Sequence, residues 1–141
     1  MPTVSCENLV KVFGGRKPVR ALDGLTLSVE KGEVFGLLGP NGSGKTTFVK
    51  CCLNIIYPTS GRIRVLDRRP GHPQTTLKIG YLPENANFYD HLTARAFLHY
   101  HAELARIPFG LRERRVNEVL ELVRLEPSAT RRRLRTYSKG P

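Results

Sequence analysis

The sequence contains no long hydrophobic run. No stretch approaches the roughly 20 apolar residues of a membrane-crossing helix, so any work at a membrane is expected to go through a partner. No secretory leader is expected either, because Met1 to Val12 alternates polar and apolar residues. Cysteine is scarce, at Cys6, Cys51 and Cys52 only. Adjacent Cys51 and Cys52 do not easily bridge each other, and no second cysteine pair or histidine cluster gives metal-ligand spacing. Free, buried thiols in a reducing cytoplasm are the expectation. No internal repeat or low-complexity tract occurs, which excludes solenoids and fibres. With 141 residues the chain makes one ordinary domain at most, long enough to bury a core.

Acidic residues are also few, 12 against 23 basic ones, for a net charge of +11. That surplus suits an anionic partner: nucleic acid, phospholipid or a phosphate ligand. Its distribution disfavours nucleic acid. Eight of the sixteen arginines fall between Arg112 and Arg135, on an expected helix surface and the loop after it, with no aromatic-rich stretch among them to stack bases. Such a face is expected to be solvated; for Arg131-Arg132-Arg133 contact with lipid headgroups is the alternative to solvent exposure.

Along the chain, Val4, Cys6, Val10 and Val12 alternate with polar residues, and so do Leu25, Leu27 and Val29. Around Gly14-Gly15 and Pro18 this pattern predicts a β-hairpin. Val34 to Leu38 is short and continuously apolar, as a strand buried on both faces should be. Thr46 to Asn54 predicts a helix, and Ile63 with Val65 another strand. Lys78 to Leu82 predicts a further strand, stopped by Pro83. Then the period changes. Leu92, Ala96, Tyr100 and Leu104 recur every fourth residue with Thr93 as a cap, and Val116, Val119, Leu120 and Val123 form a second helical stripe. A β-rich part over 1–83 is thus expected to precede a helical part over 84–130 and a final segment over 131–141.

The chemistry lies in Gly39-Pro40-Asn41-Gly42-Ser43-Gly44-Lys45-Thr46-Thr47, a complete match to G-x-x-x-x-G-K-[ST]. Its glycines let the backbone curl around an anion with N–H groups pointing inward. The helix that follows presents unsatisfied donors and a partial positive charge. Lys45 reaches β- and γ-phosphates, the Thr46 hydroxyl suits Mg²⁺, and Thr47 adds a hydrogen bond to phosphate. The expected ligand is ATP with Mg²⁺.

This loop and its surroundings resemble the nucleotide-binding domain of ATP-binding-cassette (ABC) transporters. Phe13 stands where that family stacks an aromatic on adenine. Gly32-Glu33 before the loop's strand is similar too. Ile79 to Glu84 resembles the segment leading into the Q-loop, with Glu84 where many members carry Gln. Tyr137-Ser138-Lys139-Gly140 resembles the start of the signature that contacts the partner domain's nucleotide, in a form shared with exporter-type (ABC-2) members. The resemblance implies an α/β fold, the P-loop NTPase of ABC type, with an antiparallel β subdomain, a partial core sheet and a small helical subdomain. It implies a transmembrane permease subunit and a second nucleotide-binding domain as partners, at the inner face of the cell membrane. It gives Glu84 a share in Mg²⁺ binding.

The family's Walker B aspartate, catalytic glutamate and switch histidine lie beyond its signature, so the chain reads as the N-terminal part of an ATPase truncated there, binding nucleotide with negligible hydrolysis of its own. Asp67 ends a strand but is followed by Arg68-Arg69 and reads as a turn residue. His99 and His101 lie two apart and point to different sides of a helix. An unpaired apolar edge at Val34 to Leu38 is expected to make the chain marginally stable. The alternatives are a non-catalytic nucleotide-binding remnant and a basic, nucleic-acid-associated ABC protein.

Overall fold

The computed structural model describes residues 1–84 and 89–137. The chain divides into two compact units, Met1–Tyr81 and Leu82–Pro141.

The first unit is built on the expected hairpin. Strands β1 (Pro2–Phe13) and β2 (Val19–Glu30) pair antiparallel, and β3 (Ser60–Val65) pairs antiparallel with the other edge of β1, giving the order β2-β1-β3. Helix α1 (Lys45–Cys52) lies on this sheet and buries Phe48 and Cys51. They meet Cys6, Leu9, Leu22 and Ile63 in one core, with Leu37 and Ile56 packed against it.

Cys6 and Leu9 are both buried although three residues apart, which strict alternation forbids. The register shifts between them, and Asn8 takes φ 46°. This bulge re-aims the strand so that Leu9 becomes fully buried. Gly61 closes on the same point, where a Cβ would run into the Asn8 carbonyl. Asp67 is a turn residue: Leu66 and Asp67 take φ 50° and 59°, and Val65 and Arg68 bond each other across them. Two left-handed central residues make the tight turn that suits a strand's twist. The four-residue turn of helix α2 (Pro73–Thr76) follows.

Two expected strands do not form. Val34 to Leu38 is irregular, with Val34 and Leu38 at 99% and 93% exposure. A strand needs a neighbour for its N–H and C=O groups, and among the described residues none pairs with this one. Lys78 to Leu82 is also irregular. The Lys78 and Ile79 N–H groups donate back to Thr75 and Thr76 as a continuation of the α2 turn.

The second unit is helical: α3 (Ala94–Leu104), α4 (Phe109–Leu122), the short α5 (Pro127–Thr130) and a 3-10 turn at Leu134–Thr136. Thr93 caps α3 as expected, its hydroxyl accepting from the Ala96 N–H at 3.2 Å. The buried face of α3 differs from the expected stripe. Ala94 and Ala102 are buried, whereas Tyr100 and Leu104 are exposed. Ala102 lies beside Val116 of α4, and the bulky residues of the expected stripe turn outward. On α4 the stripe is half right, since Val119 and Val123 are exposed. Charges join the two helices: Glu113 accepts from Arg95 and lies 2.8 Å from His99, and Arg112 meets Glu103 at 3.5 Å.

Candidate functional site

The loop from Gly39 to Thr47 is shaped by two glycines in the left-handed region. The Ser43 N–H donates to the Pro40 carbonyl at 3.2 Å, closing a turn whose third residue is Gly42 with φ 85°. A turn of that kind needs positive φ there. Gly44 has φ 92° and forms the N-cap of α1. A Cβ on Gly44 would collide with the Ala21 carbonyl and come within 2.9 Å of Leu22 Cδ2. Only glycine lets the loop rest directly on β2.

The side chain of Lys45 folds back into the loop. Its ammonium donates to the carbonyl oxygens of Gly39 at 2.6 Å and Pro40 at 2.8 Å and lies 3.4 Å from Ser43 Oγ. The first intrahelical bond of α1 runs from the Phe48 N–H to the Gly44 carbonyl, at 2.8 Å. The N–H groups of Lys45, Thr46 and Thr47 precede it and are the donors that a helix leaves over. Gly44 has no side chain to cap them, and no carboxylate sits in the first turn. The loop thus carries an ammonium held against it and, at the start of α1, uncapped amide donors with the helix dipole behind them. The arrangement fits a phosphate chain; at Gly39 a Cβ would meet only the Ser43 side chain. Thr46 is exposed at the first turn and Thr47 half-buried.

Phe13 ends β1, 41% exposed, opposite Val19. Gly44 packs over Ala21 and Leu22, two to three residues along β2 from Val19, or about 7–10 Å at the rise of a strand. Lys11 Nζ lies 5.1 Å from the centroid of the Phe13 ring, a cation–π contact that sequence reasoning missed. The signal was there, since residues two apart on a strand share a face.

Glu84 is exposed and belongs to the second unit. Tyr137 is half-buried, and its hydroxyl donates to the Ala129 carbonyl at 2.6 Å, bracing α5. Ser138, Lys139 and Gly140 lie outside the described residues.

The cysteines are free thiols, with Cys6 and Cys51 buried and Cys52 half-buried. Burial is the main cause that pushes Cys52 up to about 12, with Cys51 and Cys6 adding to it. Burial raises Cys6 and Cys51 as well. These are packing residues rather than nucleophiles. Among the described residues no group of His, Cys, Asp and Glu suits a metal ion.

Known proteins resemble this chain in sequence and in fold. A family profile described as "ABC transporter" matches residues 22–141. An uncharacterised ABC transporter ATP-binding protein of Synechocystis is 46% identical over 129 residues, covering 91% of this chain and 36% of its own length. The bacitracin transport ATP-binding protein of Bacillus licheniformis is 34% identical, covering 87% of this chain and 39% of its own length. The chain thus spans well under half of either relative. Among solved structures, an ATP-binding subunit of an ABC transporter superposes with a TM-score of 0.76 at 26% identity, covering 97% of this chain and 56% of the other. A dimeric ATP-binding cassette bound to ADP and Pi matches in fold, with a TM-score of 0.78 at 23% identity over 96% of this chain and 63% of the other. The fold is that of the ABC ATPases, an incomplete P-loop cassette of antiparallel sheet and few helices. By sequence and by architecture, the chain belongs to the ABC transporter family.

Proposed function

We propose that this chain forms the ATP-binding part of an ABC transporter's nucleotide-binding subunit. The observation that carries the reading is the loop from Gly39 to Thr47. Its left-handed glycines, the inward Lys45 ammonium and the leftover amide donors of α1 make one anion cradle. Gly39, Pro40, Asn41, Gly42, Ser43 and Gly44 supply backbone to the phosphates, Lys45 charge, and Thr47 a hydroxyl. Thr46 would serve Mg²⁺, which when bound neutralises phosphate charge, and Glu84 keeps the Q-loop position that the resemblance gives it. Phe13 offers its ring to the base, with Lys11 over one face.

The role of the whole protein is a further step. Closing on ATP, two such domains would move a transmembrane permease subunit, with Tyr137 to Gly140 facing the nucleotide held by the partner domain. The subunit would sit on the inner face of the membrane, as the family resemblance implies; no helix among the described residues is long and apolar enough to cross it. Relatives at 34–35% identity include proteins named for methionine import, sulfate import and bacitracin transport, so identity does not divide the branches. The exporter-type reading rests on Glu84 and on Tyr137 to Gly140. The chain supplies the cradle, and the first turn of α1 holds no acidic residue; binding without turnover is proposed for it. Titration with a fluorescent ATP analogue and Mg²⁺, against a Lys45 variant, tests the central reading.

A further inference from the structure

The segment from Arg131 to Tyr137 carries the most one-sided charge in the protein. Arg131, Arg132, Arg133 and Arg135 are all exposed, and no acidic residue lies between Pro127 and Tyr137. The second unit has carboxylates to offer, but those in ion pairs are engaged on α3 and α4: Glu103 with Arg112, Glu113 with Arg95 and His99, Glu118 with Arg114 and Arg115. Among the described residues the four arginines of the segment make no ion pair. Arg132 donates to the Thr136 carbonyl at 3.3 Å, while Arg131, Arg133 and Arg135 have no side-chain hydrogen bond among those residues.

The backbone beneath this charge is held in place. The Leu134 N–H donates to the Leu92 carbonyl at 2.8 Å and the Arg135 N–H to the Asp90 carbonyl at 3.2 Å. Thr93 and Arg133 pair as an antiparallel bridge. The Thr130 hydroxyl donates to Pro127 at 2.8 Å and the Tyr137 hydroxyl to Ala129 at 2.6 Å, tying down both ends. A solvated basic tail needs no such anchoring.

We infer that this anchored arginine segment is a docking surface for an anionic lipid bilayer. Guanidinium groups stay charged at every physiological pH and match phosphate oxygens. A bilayer surface presents diffuse negative charge that needs no shaped pocket, and each basic side chain held against it raises partitioning about fivefold. Single-stranded nucleic acid fits less well. The segment's aromatic, Tyr137, is half-buried with its hydroxyl engaged, so no stacking platform accompanies the arginines. The inference rests on the peripheral-membrane reading above and not on nucleotide binding.

Co-sedimentation of the 141-residue chain with phosphatidylcholine vesicles, with and without phosphatidylglycerol and in the absence of nucleotide, tests it. Binding is expected only with the anionic lipid and is lost in high salt. The triple variant Arg131→Gln, Arg133→Gln, Arg135→Gln loses about a hundredfold in partitioning, keeps its melting midpoint and still binds the ATP analogue. The triple variant Arg16→Gln, Lys17→Gln, Arg69→Gln removes the same charge from exposed positions of the first unit and changes partitioning far less. Equal losses in the two triples would overturn the proposal, since diffuse net charge would explain them. Binding to neutral vesicles, binding to none, or a preference for an RNA oligomer that displaces the vesicles would overturn it too. Loss of ATP-analogue binding with vesicle binding intact would instead sink the nucleotide reading alone.

Discussion

Lys45 Nζ donates to the Gly39 carbonyl at 2.6 Å, joining the two ends of the loop between them. A lysine free to swing in solvent would lose rotamer entropy on meeting an anion. Here much of that ordering is already done, since the ammonium is held on the loop's own carbonyls.

Gly44→Ala is expected to damage stability and binding together. The residue sits at φ 92° against the Ala21 carbonyl. A left-handed alanine alone costs about 1–2 kcal/mol, and the collision with β2 adds to it. Urea unfolding would show a midpoint shift of that size or more; an unchanged midpoint would mean the loop does not rest on the strand.

Phe48→Ala removes the largest side chain that α1 buries, and is expected to cost about 3–5 kcal/mol. A unit this small holds little reserve, so the variant should lose its cooperative melt by circular dichroism, and with it the seat of the loop.

Phe13→Ala is expected to weaken ATP-analogue binding about tenfold while leaving inorganic triphosphate binding unchanged. Aromatic stacking on a base is worth about 1–3 kcal/mol, and an exposed ring belongs at the low end. Competition titrations with the two ligands separate them. Equal weakening of both would take the ring away from the base.

The thiol of Cys52 is raised by burial from 9.0 to about 12. A raised thiol favours the folded state while it remains neutral. That contribution is complete below about pH 9 and fades as pH climbs towards about 12. Cys52→Ala should therefore flatten the loss of stability over this window, seen in melts taken at stepped pH. A parallel decline in both proteins would assign the loss to other groups.

How much was legible in the sequence follows from how local each feature is. The Thr93 cap and the turn at Asp67 were readable because a few neighbouring residues decide them. The hairpin and β3 followed from alternation. Leu9 was missed because a bulge at Asn8 shifts the parity, and only the close approach of Gly61 shows why. On α3 the period was right and the phase wrong, since Ala94 and Ala102 are the buried residues and Tyr100 and Leu104 are exposed. Val34 to Leu38 has the composition of a buried strand, but pairing is a property of two segments, and one segment's composition cannot supply the other. Within the site the sequence located the turn at Gly42 and the helix that follows the loop. The support of Gly44 on β2 and the placement of Lys11 over Phe13 depend on strand geometry.

The central claim is most directly tested by equilibrium titration of the chain with a fluorescent ATP analogue in the presence of Mg²⁺, beside Lys45→Ala. Charge-assisted hydrogen bonds of this kind contribute about 1.5–3 kcal/mol, so the account predicts saturable binding that weakens roughly ten- to a hundredfold in the variant, with the melt unchanged. Equal affinity in the two proteins, or none in either while both remain folded, would contradict it.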